Sequence, residues 1–148
     1  MKLNGLSDPD VVAALFRASQ DGARVELVVR GVCTLRPGIP GVSHNISVVS
    51  VLGRFLEHAR VFYFGNAGKP EYFIGSADMR PRNLRRRVEL LAPVRDHACR
   101  AQLDTLLDAY VSDPTAWELT SAGEYARRRG AGLGAQEQLL RELASATK

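Results

Sequence analysis

The stretch Gly53-Arg54-Phe55-Leu56-Glu57-His58-Ala59-Arg60-Val61-Phe62-Tyr63-Phe64 changes character halfway along. Its first half has no strand pattern and reads as a loop or a single helical turn. Val61-Phe62-Tyr63-Phe64 is an apolar, aromatic, β-prone run and reads as a buried strand. His58 therefore stands at the mouth of a strand, with Arg60 two residues on. Gly75-Ser76-Ala77-Asp78 follows at the end of the next strand, and Asn83 comes after it. Histidine takes or gives a proton near neutral pH. Arginine binds phosphate oxygens through paired N–H groups. His58, Arg60, Ser76 and Asn83 together suggest a site that handles phosphoryl groups. The plainer alternative is a hydrogen-bonded structural histidine.

Outward from this stretch the chain alternates strands and helices. Ser7-Asp8-Pro9-Asp10 is a helix start, with a cap candidate, a first-turn proline and acids at the positive end of the dipole. Val12, Leu15, Phe16 and Ser19 keep helical spacing, and Gly22 ends it. Residues 24–30 read as a strand, 31–45 as a Pro/Gly loop, 46–52 as a second strand and 60–64 as a third. Residues 71–77 form a fourth, after a turn at Gly65-Asn66-Ala67-Gly68. Residues 87–93 read as a fifth strand, and the arginines of 80–87 as a loop and strand edge. Asp96 opens a helix whose Leu103, Leu106, Leu107 and Tyr110 share one face. Gly130–Gly134 reads as a flexible joint before a last amphipathic helix carrying Leu133, Leu139, Leu140 and Leu143. Arg30 closes the first strand, where open α/β sheets gather ligands. A guanidinium there meets an anion or simply points into water.

Composition narrows the classes. The chain has 148 residues, 45% of them hydrophobic, which suits one soluble domain with a core. No apolar run is long enough to cross a bilayer, and the N-terminus lacks the apolar stretch of a signal peptide. Cys33 and Cys99 form no CxxC pair, so reduced thiols in a cytoplasmic protein are expected. Of the 20 basic residues only Lys2, Lys69 and Lys148 are lysine. Arginine clusters at Arg80, Arg82, Arg85, Arg86 and Arg87 and again at Arg127, Arg128 and Arg129, which favours phosphate or carboxylate recognition or reflects codon bias. Acids are spread throughout, so no nucleic-acid face is indicated. His44 and His97 read as solvated.

Three stretches resemble the C-terminal region of bacterial polyphosphate kinases: VELVVRGVCTLRPGIPG (25–41), SHNISVVSVLGRFLEHARVFYF (43–64) and the span from YFIGSAD to RNLRRRVELLAPV (72–94). The opening Lys2-Leu3-Asn4 is similar as well. The motifs are Val-Arg-Gly followed by C-x-L-x-P-G, and R-x-L-E-H-x-R. The resemblance runs over about residues 2–129; the tail from 130 carries no motif. The chain departs from the family at Met79, where tryptophan is usual, and at His44, where an acid is usual.

This resemblance implies an α/β fold, a phospholipase-D-like half-module with a mixed β-sheet flanked by helices. It divides the chain into a catalytic domain at 1–129 and a helical tail at 130–148. It implies a fragment of an ATP:polyphosphate phosphotransferase, which moves the terminal phosphoryl group of ATP reversibly to polyphosphate through a phosphohistidine on another module. His58 takes the role of the supporting catalytic histidine and Arg30 that of the phosphate-binding arginine. Arg60 occupies the lysine place of a His-x-Lys motif, and Ser76 and Asn83 stand near a Gly-Ser-x-Asn position. ATP or ADP is the substrate. Mg2+ is implied, with ligands outside this chain and no metal site within it. The partners expected are ATP, inorganic polyphosphate, the N-terminal modules of the same enzyme, and a second copy in a homo-oligomer. The location expected is the cytoplasm, with peripheral membrane attachment left open. The chain alone is expected to be inactive. Two other readings stay open: a phospholipase-D-like phosphodiesterase or nuclease half-module, and a non-catalytic polyanion-binding module using Arg80–Arg87.

Overall fold

Val28 and Leu27 are neighbours in sequence but lie in different cores, and this alternation explains the architecture. The computed structural model describes residues 1–146. Its elements are β1 (Lys2–Leu3), α1 (Pro9–Gln20), β2 (Val25–Val29), β3 (Ile46–Ser50), β4 (Arg60–Phe64), β5 (Glu71–Gly75), α2 (Pro81–Arg86), β6 (Leu91–Pro93), α3 (His97–Val111), β7 (Trp117–Leu119), β8 (Tyr125–Arg127) and α4 (Ala135–Ala146). The eight strands form one sheet in the order β6-β5-β4-β1-β2-β3-β7-β8. Strands β1, β2 and β3 run parallel, and every other pairing is antiparallel.

Successive strand residues face opposite sides. Leu27, Val29, Val48 and Phe62 pack on one side with Leu3, Leu6 and Leu35, against Val12, Leu15 and Phe16 of α1. Val28 and Val49 pack on the other with Ala109, Tyr110 and Ala135, against Leu106 of α3 and Leu139 of α4. Central parallel strands are covered on both faces, so β2 and β3 are apolar at most positions. A mixed α/β sheet flanked by helices is what the sequence led one to expect.

α1 starts as expected: Asp8 Oδ1 accepts from the N–H groups of Asp10 and Val11 at 3.1 and 3.2 Å. The strands at 25–29, 46–50, 60–64 and 71–75 fall where they were read: 60–64 matches at both ends, and the other three are shorter by one or two residues at an end. Four features differ. Lys2–Leu3 is a strand, and it is central. Pro81 starts the short helix α2 where a loop and strand edge were expected, because its fixed φ suits a first helical turn. The strand read at 87–93 shrinks to Leu91–Pro93. Residues 117–127 add a hairpin, β7–β8, on the β3 edge.

The glycine segment before α4 is fastened. Gly130 N–H donates to the Pro114 carbonyl at 3.1 Å, and Asp113 Oδ2 accepts from Ala135 N–H at 2.7 Å. Of the tail at 130–148, residues 147 and 148 lie outside the described residues. No described helix is long and apolar enough to cross a membrane. Cys33 and Cys99 are free thiols.

Candidate functional site

β1 lies between β2 and β4, so the carboxyl end of the first strand meets the loop entering β4. Asn4, just past β1, sits at that meeting point. Its side-chain oxygen accepts from Arg30 Nε at 2.6 Å, and its side-chain N–H donates to the His58 carbonyl at 3.3 Å. Arg30 Nε also donates to the Glu57 carbonyl. Arg30 and His58, 28 positions apart by their numbers, thus share Asn4 and the Glu57-His58 backbone as supports. Only Nε of Arg30 is held. Among the described residues its two terminal Nη groups have no hydrogen-bond or ion-pair partner, which leaves a half-exposed fork of donors.

The Val-Arg-Gly motif has a steric reason. Gly31 N–H donates to the Asn4 carbonyl at 3.1 Å, and a Cβ on Gly31 would meet that oxygen at 2.7 Å. Any side chain there would push Asn4 off Arg30.

His58 is exposed, and Arg60 is not. Arg60 Nη1 donates to the His58 carbonyl and lies 2.9 Å from His58 Nδ1. Arg60 Nη2 lies 3.4 Å from His58 Nε2, and guanidinium only donates, so the ring nitrogen that bonds Arg60 receives. Arg60 Nε and Nη2 donate to the two oxygens of Asp78 at 3.2 and 3.0 Å. Asp78 Oδ1 also accepts from the N–H groups of Asn4 and Gly5 at 2.7 and 3.2 Å. Burial disfavours the charge on Asp78, but these bonds and the Arg60 cation outweigh it, and the carboxyl is held below its ordinary value. Arg60 therefore supports the histidine from inside instead of facing a ligand.

Ser76 and Asn83 also turn to a carboxylate of the chain. Ser76 Oγ donates to Glu89 Oε2, and Asn83 Nδ2 donates to Glu89 Oε1 at 2.8 Å. Arg87 Nε reaches the same Oε1 at 3.1 Å. The Ser76 hydrogen bond, then that of Asn83, hold the Glu89 carboxyl below its ordinary value. Ser76 and Asn83 are brought together by Glu89, while Arg30 and His58 are brought together by Asn4.

Beneath the loop lies a group that the sequence reading missed. Lys2 is buried and its Nζ is 3.3 Å from Glu57 Oε2. Tyr110 donates its hydroxyl to Glu57 Oε1, and Lys2 Nζ sits 4.9 Å from the Tyr110 ring centre. Burial drives the Lys2 ammonium below its ordinary pKa, partly offset by Glu57. Burial and the Glu57 hydrogen bond push the Tyr110 phenol up. The glutamate of R-x-L-E-H-x-R thus fixes the histidine's backbone to the sheet through its neighbours, and only the motif itself hinted at it. Asn4 and Asp78 were quoted in motifs but not read as site residues, because their partners are remote in sequence, and Glu89 was not singled out.

Among the described residues no group of three or more His, Cys, Asp and Glu side chains could hold a metal ion.

Residues 1–138 match the protein family described as Polyphosphate kinase C-terminal domain 2. The chain belongs to that family. Polyphosphate kinase of Streptomyces coelicolor is 57% identical over 128 residues, covering 86% of this chain and 17% of that protein. The polyphosphate kinase of Thermosynechococcus vestitus is 52% identical over 131 residues, 88% of this chain and 18% of that protein. The crystal structure of polyphosphate kinase from Porphyromonas gingivalis superposes with a TM-score of 0.93 at 36% identity, covering 98% of this chain and 23% of that one. The chain thus spans about a fifth of the length of the polyphosphate kinases it matches. The family match extends past residue 129 into the first turn of α4.

Proposed function

We propose that this chain supplies the phosphate-binding half of a polyphosphate kinase active site, for transfer of the terminal phosphoryl group of ATP to polyphosphate. The observation that carries the reading is Arg30: fixed through Nε by Asn4 and the Glu57 carbonyl, it leaves both Nη groups without a partner among the described residues, and Asn4 also holds the backbone of the exposed His58. A fork of donors held from behind is preorganised for phosphoryl oxygens and needs no reorganisation as charge shifts between them. His58 stands exposed with its ring against Arg60 and is the residue that gives or takes a proton. Arg60 orients the ring, and Asp78 holds Arg60. Ser76 and Asn83 hold Glu89 instead of a phosphate.

In this reading the histidine that carries the phosphoryl group belongs to another module, on the half-module plan of the phospholipase-D-like superfamily. The substrates are ATP and polyphosphate, and the setting is the cytoplasm. Arg85 is paired with Asp8 and Asp10, and Arg87 with Glu89, so two cations of the Arg80–Arg87 cluster are already balanced within the chain. That weakens a purely polyanion-binding role.

The test is reconstitution. The chain is mixed with a polyphosphate kinase polypeptide lacking this domain, and radiolabelled ATP is supplied. Each part alone is expected to make no polyphosphate, and the mixture to make it. His58→Ala should lower the rate by about 10²–10⁴-fold, and Arg30→Ala by about 10²–10³-fold. Vigorous synthesis by the chain alone, or full activity of the His58→Ala mixture, would overturn the proposal.

A further inference from the structure

The loop that delivers His58 is anchored twice, and one anchor lies in the tail. Residues 52–56 leave β3 with no regular structure and are exposed to solvent. On the far side, Glu57 and His58 are fixed by Lys2, Tyr110, Arg60 and Asn4. On the near side one residue does the holding. Phe55 N–H donates to Gln136 Oε1 at 2.9 Å, and Gln136 Nε2 donates to the Phe55 carbonyl at 2.8 Å. Among the described residues these are the only hydrogen bonds that residues 52–56 make.

Gln136 is itself buried, in the first turn of α4. That turn is fixed in place: Asp113 Oδ2 accepts from Ala135 N–H at 2.7 Å, and Ala135 is fully buried against Tyr110 and Val51. Opposite the amide, Gly53 leaves room for it, since a Cβ there would lie 2.5 Å from Gln136 Oε1. A primary amide is the side chain that can give to a carbonyl and take from an N–H of the same residue at once.

We infer that Gln136 is a positioning residue for His58, so that the tail helix sets the geometry of the loop that presents the histidine. This rests on the reading of His58 as a site residue. Removing the amide frees residues 52–56 while the sheet stays folded, and His58 then samples orientations away from its place beside Arg60. Reacting groups must be held to within a fraction of an ångström, which rigid supports around them achieve.

The experiment uses nuclear magnetic resonance on this whole chain, so it does not depend on any phosphotransfer activity. Gln136→Ala is expected to speed amide exchange at Phe55, Leu56 and Glu57 by about tenfold or more. It should also move the ring-nitrogen resonances of His58, while the amides of Val28 and Val48 exchange within about twofold of the parent. Gln136→Glu, which keeps the acceptor and loses the donor, should give a smaller shift in the same direction. Leu139→Ala, which thins α4 packing without touching the amide, should lower the melting temperature and leave the His58 resonances in place. Unchanged loop exchange and ring resonances in Gln136→Ala would overturn the inference. So would a Leu139→Ala protein that moves His58 equally. Should the reconstitution above fail while these shifts appear, the functional reading falls and the positioning role stands.

Discussion

Arg60 and Asp78 form a two-point ion pair at 3.0 and 3.2 Å, with both side chains about nine-tenths buried. The pair sits directly behind His58. Removing one member leaves the other as an uncompensated buried charge, which costs about 3–5 kcal/mol. Asp78→Asn should therefore lower stability by about that amount in urea unfolding. The acid limb gives a second readout. The folded carboxyl of Asp78 lies below its ordinary value of 3.8, so its contribution is complete above that value and disappears as pH falls through the folded pKa. The melting temperature of the parent chain should drop as the pH is lowered below about 4. The Asp78→Asn protein should start lower and drop less over the same range. Equal slopes would remove Asp78 from the account.

Gly31 tests the steric side of the Val-Arg-Gly motif. With the Asn4 carbonyl 2.7 Å from any added Cβ, Gly31→Ala must push β1 and Asn4 aside. Overpacking of this kind costs about 1–3 kcal/mol. The displaced Asn4 would also release Arg30. Denaturant titration should show the loss, and tripolyphosphate binding measured by calorimetry should weaken alongside it. A stable Gly31→Ala protein with unaltered binding would show that Asn4 has room to give.

Much of this was readable in advance. β2, β3, β4 and β5 are runs of Val, Ile, Phe and Tyr, and their neighbours in the sheet are covered, so local pattern and global fold agree. β1 was not readable, because a two-residue strand holding a lysine has no apolar signature, and its place comes from pairing with β2 and β4. Trp117–Leu119 and Tyr125–Arg127 are short and largely exposed, so nothing in their composition marks a hairpin. Arg30 and His58 were singled out by their motifs. Arg60 was singled out as well, but its direction was not readable, since the carboxylate that turns it inward is 18 residues away. Gln136 lies 81 residues from the backbone it grips, beyond any spacing rule.

Lys2 and Glu57 offer a double-mutant cycle. Lys2→Met alone strands the Glu57 carboxylate beside Tyr110, at a cost of about 3–5 kcal/mol. Adding Glu57→Gln should restore part of that loss, because a neutral amide still accepts from the Tyr110 hydroxyl. A coupling energy of about 1 kcal/mol or more is expected from the four proteins. Additive losses would mean that the pair does not act as a unit beneath His58.

The central claim is that Arg30 and His58 together receive phosphoryl oxygens. The most direct measurement is a titration of this chain with tripolyphosphate, followed through the Arg30 Nε and His58 ring-nitrogen resonances. The account predicts that both move together and saturate at the same ligand concentration, and that Arg30→Ala abolishes the His58 response. Movement confined to Arg82 and Arg86, with Arg30 and His58 unperturbed, would contradict it.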